Sequence, residues 1–509
     1  MRGSLRPYQQ LAFEQTLRAA NKYDRNLVVM PTGSGKSRMF CAWAEKFLPG
    51  RTLVLAHREN LIDQACEEVY STIGIEPGRE QAQHRADLKN AVVVASVQSM
   101  QGSRLEQWPK NHFNLVVPDE AHRCLSDQYQ SVLSHFDQTA KVIGVTATPS
   151  RGDNRSLGQY FQNIAVQITL RELIEAGWLC PVKVKAIPIP IDISDVPIIA
   201  GDLHPGRLHD ALTPRLKAIA ESIKANAAGR KILAFLPLRE TSRQFAQICN
   251  SIGLKAHHLS GDSRDKKTVL KHFQNCPGEM VTNALLLSEG YNNPRIDCVV
   301  PLRPQRAGTG TPLLAQMIGR GTRICEGKDD LLILDYLWHH RSHRLARPAS
   351  LVTDDEEIAE IATQNSVDAA GTVLDLLEME ETATEQRRRT LEEQLRANER
   401  RREKFISPLE FNLALGDISG ADYQPVMPWE YAPITDKQRT LLEKFKIDTR
   451  KVASKGEASR LIGKVMPRVT GKLATPTQLK YLRSMGHPNP EKATFKEATA
   501  FLSQVWGKR

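Results

Sequence analysis

The sequence predicts an α/β protein made of two consecutive parallel-sheet domains, then a charged helical linker and a small all-α module. Three observations carry this. Short β-rich runs, nearly all of them continuously apolar, recur from position 26 to position 337; amphipathic stretches of helical spacing separate many of them; and the C-terminal stretch 433–509 holds an internal repeat. Strands covered on both faces read as continuous apolar runs, and sustained strand–helix alternation implies α/β layers.

The runs fall at residues 26–30, 52–56, 91–96, 113–117, 141–146, 231–236, 281–287, 298–302 and 331–337. Between the first two, Phe40, Ala44 and Phe47 follow helical spacing until Pro49-Gly50 stops the helix. A Pro- and Ile-rich stretch at 177–199 breaks the pattern and predicts the division, giving domains over 1–180 and 181–345. From 346 to 432 the character changes. No Lys or Arg lies between Arg347 and Arg387, where eleven acidic residues fall, and the triplets Arg387-Arg388-Arg389 and Arg400-Arg401-Arg402 follow. Leu374, Leu377, Leu391 and Leu395 give a thin apolar stripe, so this segment is expected to be a solvated helical linker.

The module over 433–509 repeats with period 40. Thr435–Gln438 aligns with Thr475–Gln478, Leu442 with Leu482, and Ala453-Ser454 through Glu457-Ala458 with Ala493-Thr494 through Glu497-Ala498. All four openings have the Ser/Thr-x-x-Glu/Gln form of a capping box, which predicts a helix–loop–helix in each repeat. The module is also where the charge lies. The net charge is +11, and the stretch 433–509 holds 17 of the 69 basic and 6 of the 58 acidic side chains, an excess equal to the whole. A basic module on a neutral body points to a polyanion, most simply nucleic acid.

Eight Cys stand singly with no CxxC pair, which excludes a disulfide framework and predicts no structural zinc. No apolar stretch approaches the roughly 18–20 residues that span a bilayer, and the opening residues carry no apolar signal region. A cytoplasmic protein is expected, nucleoid-associated if bacterial. The run Trp338–His343 has no acidic or Cys residue at ligand spacing and predicts no metal centre.

Two motifs carry chemistry. Pro31-Thr32-Gly33-Ser34-Gly35-Lys36-Ser37 follows an apolar run and opens a helix, the context of a phosphate-binding loop. Its glycines let backbone N–H groups turn toward an anion at the helix start. Lys36 is placed to reach β- and γ-phosphates and the Ser37 hydroxyl to ligate Mg²⁺. Asp119-Glu120-Ala121-His122 ends another apolar run, with Asp119 expected to hold Mg²⁺ and Glu120 to polarise the attacking water. Pro118 lacks an N–H just before Asp119, which is tolerable at a strand end and costly within a central ladder.

With these motifs in order, residues 5–345 resemble the DEAH-type branch of the superfamily-2 helicase-like ATPases, in particular RadD-like repair helicases and type I restriction motor subunits. The resemblance implies two tandem RecA-like domains, with ATP and Mg²⁺ as cofactors, DNA as partner with RNA left open, and DNA repair as setting. It implies that Gln9 bonds the adenine edge and Arg6 stacks, in Leu5-Arg6-Pro7-Tyr8-Gln9. It implies nucleic-acid contacts by His57, Arg58, Ser96, Gln98 and Thr282, and coupling roles for His122, Thr146, Thr148 and Gln316. In Gln316-Met317-Ile318-Gly319-Arg320-Gly321-Thr322-Arg323 it implies arginine fingers at Arg320 and Arg323, three apart, so that one helical face is expected to aim both at the cleft. The sequence departs from the family at Asn292, in Glu289-Gly290-Tyr291-Asn292-Asn293-Pro294, where the family carries Asp. It also has no Cys-rich zinc segment after Cys325.

The expected function is a nucleic-acid-dependent ATPase coupling MgATP hydrolysis to movement on, or unwinding of, DNA. The alternatives are a duplex translocase that leaves the strands paired, or an ATP-gated DNA-binding scaffold. A protein partner for the C-terminal module stays open.

Overall fold

A computed structural model of the chain describes residues 4–147, 157–199, 202–288, 290–307, 311–339, 345–353, 355–398, 406–417 and 423–506. It divides into two compact units, Met1–Asp354 with Ala362–Met379, and Asp355–Ile361 with Glu380–Arg509.

The first unit holds two seven-stranded sheets. In the first sheet the strands lie in the order Gly78–Glu80, Val92–Ser96, Thr52–Ala56, Leu115–Pro118, Lys141–Thr146, Arg25–Val29, Asn163–Gln167, and all neighbours are parallel. One face packs Phe40 and Trp43 of the helix Lys36–Phe47 and Ile62 and Val69 of the helix Glu59–Ile73 against Val28, Val54 and Val94. The other face packs Trp108, Phe113, Tyr129 and Phe136 against Leu27, Leu53 and Val93. Because the strands are parallel, their C-terminal ends meet along one edge. The phosphate loop, His57-Arg58 and Asp119-Glu120 therefore come from separate strands to one crevice.

Pro118 closes its strand in the middle of this sheet. The ladder to Lys141–Thr146 pairs only Leu115 and Val116, then resumes as a single bridge from Asp119 to Val145. The missing N–H falls in that lapse, and Asp119 N returns to Leu55 O at 2.9 Å.

The second sheet runs Ala256–Leu259, Met280–Asn283, Ile232–Phe235, Cys298–Pro301, Leu331–His339, Val182–Asp192, Val373–Asp375, with only the last strand antiparallel. Two expectations are corrected here. The stretch at 177–199 is not a gap: Val182–Asp192 is an eleven-residue strand. Its register shifts from Tyr336↔Ile187 to Leu337↔Pro190, so Pro188 falls in the irregularity, where a missing donor costs no ladder bond. The second domain also does not end at 345, because Val373–Asp375, containing Leu374, pairs with Val182–Asp192 and covers the sheet edge. The helix Leu376–Asn398 buries Leu376, Met379, Ala383 and Leu391, so it is more than a solvated linker.

The second unit packs Phe411 of the helix Pro408–Ala414 with Leu442, Ile447, Leu461, Val465 and Leu479, so its core begins ahead of residue 433. The repeat holds at atomic detail. The helices Asp436–Lys444 and Pro476–Ser484 start one repeat apart, each with a complete capping box from Thr435 or Thr475. Gln438 Nε2 donates to Ser459 Oγ and Gln478 Nε2 to Thr499 Oγ1, both at 2.9 Å. The second helices are Lys455–Thr470, capped by Ser454, and Phe495–Trp506. Among the described residues no helix is long and apolar enough to cross a membrane.

Candidate active site

The loop after Arg25–Val29 turns through Gly33 and Gly35, at φ +91° and +84°, a conformation costly for residues with a Cβ. The helix Lys36–Phe47 starts at once, leaving its first N–H groups without intrahelical acceptors. Lys36 and Ser37 occupy that first turn. The loop is held from behind: Ser34 O accepts Tyr8 Oη at 2.5 Å and Gln9 Nε2 at 2.9 Å, and Gln9 Oε1 accepts Arg6 N at 3.0 Å. The Gln9 amide, expected to read a base edge, thus engages the loop backbone at one end and Arg6 at the other. Arg6 stacks, but on Trp178, with its guanidinium carbon 5.5 Å from the ring centre. Trp178 sits in the stretch that looked like a divider and carried no motif to mark it.

Glu120 is buried and left-handed, φ +53° and ψ 55°, an unusual backbone for a residue with a side chain. Its N–H donates to Asp119 Oδ1 at 3.0 Å. Burial by itself raises a carboxyl pKa. Here the Lys36 ammonium and His122 outweigh it and hold Glu120 well below the usual carboxylate range, with His57 adding to the effect. His122 Nδ1 lies 3.3 Å from Glu120 Oε2, without hydrogen-bond alignment, and 3.5 Å from Thr146 Oγ1. It links the carboxylate to the strand whose Thr146 O accepts Met30 N at 2.9 Å. Thr148 lies outside the described residues.

The second domain closes the crevice. Gln316 is buried on the helix Thr311–Ile318, which ends before either arginine, so Arg320 and Arg323 stand on the following turns rather than on one helical face. The reason is packing. A Cβ at Gly319 would collide with the Thr32 side chain, and one at Gly321 with Leu331. Thr322 Oγ1 reaches Thr32 O at 3.4 Å. Arg320 donates Nε to Ser288 O at 2.9 Å and Nη1 to Tyr291 O at 3.0 Å. Arg323 passes beside Gly33; burial and the neighbouring Arg320 push its pKa down to about 9.

Among the described residues, the buried atoms here that lack a hydrogen-bond partner include Lys36 Nζ, Thr32 Oγ1 and Arg323 Nη1, with Glu120 Oε2 beside them. Two cations and a hydroxyl without acceptors, at the start of a helix, form a cradle for a multiply charged anion.

The expected strand-contacting residues meet one another. Ser96 Oγ donates to Gln98 Oε1 at 2.6 Å, Gln98 Nε2 to His57 O at 3.1 Å, and Arg58 Nη1 to Leu285 O of the second domain at 3.5 Å. Gln64, which no motif marked, bonds Gly290 O beside them. Thr282 is a correction. It is fully buried, and its hydroxyl accepts from Ser242 Oγ and donates to Ser242 O, so it braces the second domain instead of facing a strand. Elsewhere in that domain the buried Glu279 receives His257 and His272 at 3.1 and 3.2 Å, a cluster absent from the sequence reading.

Residues 2–151 match the family described as type III restriction enzyme, res subunit, and residues 214–325 match the helicase conserved C-terminal domain. The chain is 28% identical over 361 residues to a Saccharomyces cerevisiae protein named ATP-dependent helicase IRC3, covering 65% of this chain and 51% of that one. It is 27% identical over 380 residues to the type I restriction enzyme EcoAI endonuclease subunit of Escherichia coli, covering 65% and 46%. The chain thus spans about half the length of these curated relatives. A fragment of an HsdR subunit of a type I restriction enzyme from Vibrio vulnificus superposes with a TM-score of 0.52 at 24% identity, covering 65% of this chain and 63% of that one, which shows the shared fold.

Proposed function

We propose, from the premise that this chain is a superfamily-2 helicase-like ATPase related to restriction motor subunits, that it hydrolyses MgATP in the crevice between its two parallel-sheet domains and couples the cycle to movement on DNA. The observation that carries this is the crevice itself. Lys36 and Arg323, from opposite domains, converge on one glycine loop, each with a buried nitrogen that lacks a hydrogen-bond partner.

The loop N–H groups and Lys36 would bind the phosphates, Ser37 and Asp119 would hold Mg²⁺, and Glu120 would take a proton from the attacking water. Held there, the ion would supply charge neutralisation for the phosphate oxygens. Arg323 supplies the cation for the γ-phosphoryl group, while Arg320, bonded to Ser288 O and Tyr291 O, ties the finger to the loop before Pro294. Gly319, Thr322 and Arg323 meet the loop across the crevice, so domain opening after hydrolysis would part these contacts and couple the two events. Kinship with restriction enzymes favours DNA as the track, and the basic C-terminal module adds non-specific affinity. Among the sequence-marked residues, Arg58 and Gln98 remain the strand contacts we assign. A reducing, cytoplasmic location accords with eight unpaired Cys.

The test is steady-state ATP hydrolysis by wild type and Lys36→Ala with no nucleic acid, single-stranded DNA, duplex DNA or RNA. Stimulation by DNA that the variant lacks supports the motor. Turnover that survives Lys36→Ala refutes the site. Strand-displacement and triplex-displacement assays then separate unwinding from translocation on paired strands.

A further inference from the structure

The two halves of the C-terminal repeat share one architecture but differ on one face. Lys455 N donates to Ala432 O at 2.7 Å in the first half, and Phe495 N to Lys472 O at 2.9 Å in the second, the donors again one repeat apart. In the first half, the start of the second helix is covered by the chain's own residues 423–431. Tyr423 and Glu430 lie so close to Gly456 that a Cβ there would collide with both. The Lys455 ammonium sits 6.0 Å over the Trp429 ring and the Arg460 guanidinium 4.9 Å over that of Tyr423. Glu430 Oε2 accepts Val426 N at 2.6 Å and Met427 N at 2.8 Å, which fixes the segment's shape.

In the second half the same face is open. Period 40 puts Lys496 in place of Gly456, Phe495 in place of Lys455, and Val469 in place of Trp429. The result is a groove of about 570 Å³, with Phe445, Val469 and Phe495 among its walls and Lys472 and Lys496 at its rim. Phe495 is 50% exposed and Val469 44%, an apolar surface that water covers at a cost. Behind them Arg468 is nine-tenths buried. It donates Nε to Ala474 O at 3.0 Å and Nη1 to Glu491 O at 2.9 Å, and its Nη2 has no hydrogen-bond partner. Among the described residues no acidic side chain lines the groove.

We propose that this groove docks a short extended segment of a partner protein in which an aromatic side chain adjoins a carboxylate. The first half supplies the template, because Trp429-Glu430 cover the equivalent face there. The charge is complementary: three cations with no lining anion favour a carboxylate at the rim, and the half-exposed ring and valine favour an apolar side chain within. A nucleic-acid strand fits less well, since it would bring a phosphate for every base against a lining that is mostly apolar. This assignment is independent of the ATPase reading.

The probe is a fluorescent nine-residue peptide with the sequence of residues 423–431, titrated against the full-length chain and followed by anisotropy. Saturable binding is expected. It should weaken about tenfold or more with Lys496→Glu, and likewise with Phe495→Ala. Replacing the peptide's Glu430→Gln should weaken it comparably, while Lys437→Glu, an equal charge change at the far end of the helix Asp436–Lys444 from Phe445, should not. Unchanged melting and ATP turnover in Lys496→Glu would show that the fold and the motor are intact. Absence of saturable binding up to about 1 mM peptide, or binding that Lys496→Glu leaves untouched, would overturn the proposal. So would loss of single-stranded DNA affinity, instead of peptide affinity, in the same variants.

Discussion

Gly319 has no side chain, and a Cβ there would meet Thr32 in the phosphate loop of the other domain. Gly319→Val should therefore hold the crevice ajar without disturbing either sheet. Misplacement of a catalytic group by about 1 Å costs on the order of 10² in rate, so turnover is expected to fall by that order while the melting curve stays in place. The two arginines separate by a second readout. Arg323→Ala removes a desolvated guanidinium whose Nη1 lacks a hydrogen-bond partner and should cost about 10³–10⁵ in turnover, with stability held or raised. Arg320→Ala also strands the carbonyls of Ser288 and Tyr291, each worth about 1–3 kcal/mol when buried and unpaired, so it should lower the urea midpoint as well as the rate. Glu120 gives the pH dependence. Its folded pKa lies below the unfolded value of about 4.3, because Lys36 and His122 outweigh burial. Its stabilisation is therefore complete above that value and lost as pH falls through the folded one. Glu120→Gln should flatten the acid limb of unfolding free energy below about pH 5. At this scale the glycine loop and the acidic pair were readable because their chemistry needs particular residue types in sequence. The burial of Thr282 and the capture of Gln9 by the loop were not, since both depend on partners far along the chain, Ser242 and Ser34.

Elements were readable where one local rule dominated. The strands Thr52–Ala56 and Lys141–Thr146 coincide with their apolar runs because parallel strands buried on both faces leave no polar interruption. Val182–Asp192 escaped for the opposite reason. Its prolines argue against a strand, and only the long-range partner Leu331–His339 shows that one of them lies where the register slips. The turn carrying Arg320 and Arg323 escaped likewise, because Gly319 and Gly321 answer to Thr32 and Leu331 across space. The repeat was readable because capping is local, and it makes a symmetric prediction. Thr435→Ala and Thr475→Ala each remove a side-chain oxygen that accepts from the third helical N–H, at a typical cost of about 1 kcal/mol. The losses should agree within a few tenths in urea unfolding of the full chain, followed by a probe in the module. Unequal losses would mean that the halves, though alike in bonding, are not alike in energy.

Over the whole molecule, the question is where the motor ends. Composition suggested residue 345, but Val373–Asp375 pairs antiparallel with Val182–Asp192 and covers what would be an exposed edge carrying Val182, Val184 and Ala186. An uncovered edge offers unpaired N–H and C=O groups to another chain. A chain cut after residue 345 should therefore associate or precipitate, whereas one cut after Met379 keeps the strand and should stay monomeric and hydrolyse ATP. Sedimentation and turnover of the two check this directly. The longer piece also lacks the basic module, together with the charged stretch 380–432, and so tests what the second unit adds to DNA binding. Each phosphate contact releases counterions, and the logarithm of DNA affinity falls with the logarithm of salt by about 0.9 per contact. If the module supplies non-specific affinity, removing it should leave turnover at saturating DNA nearly unchanged, raise the DNA concentration needed for half-maximal stimulation, and flatten that salt slope. A slope unchanged on removal would place the phosphate contacts on the two parallel-sheet domains alone, and would leave protein docking as the module's role.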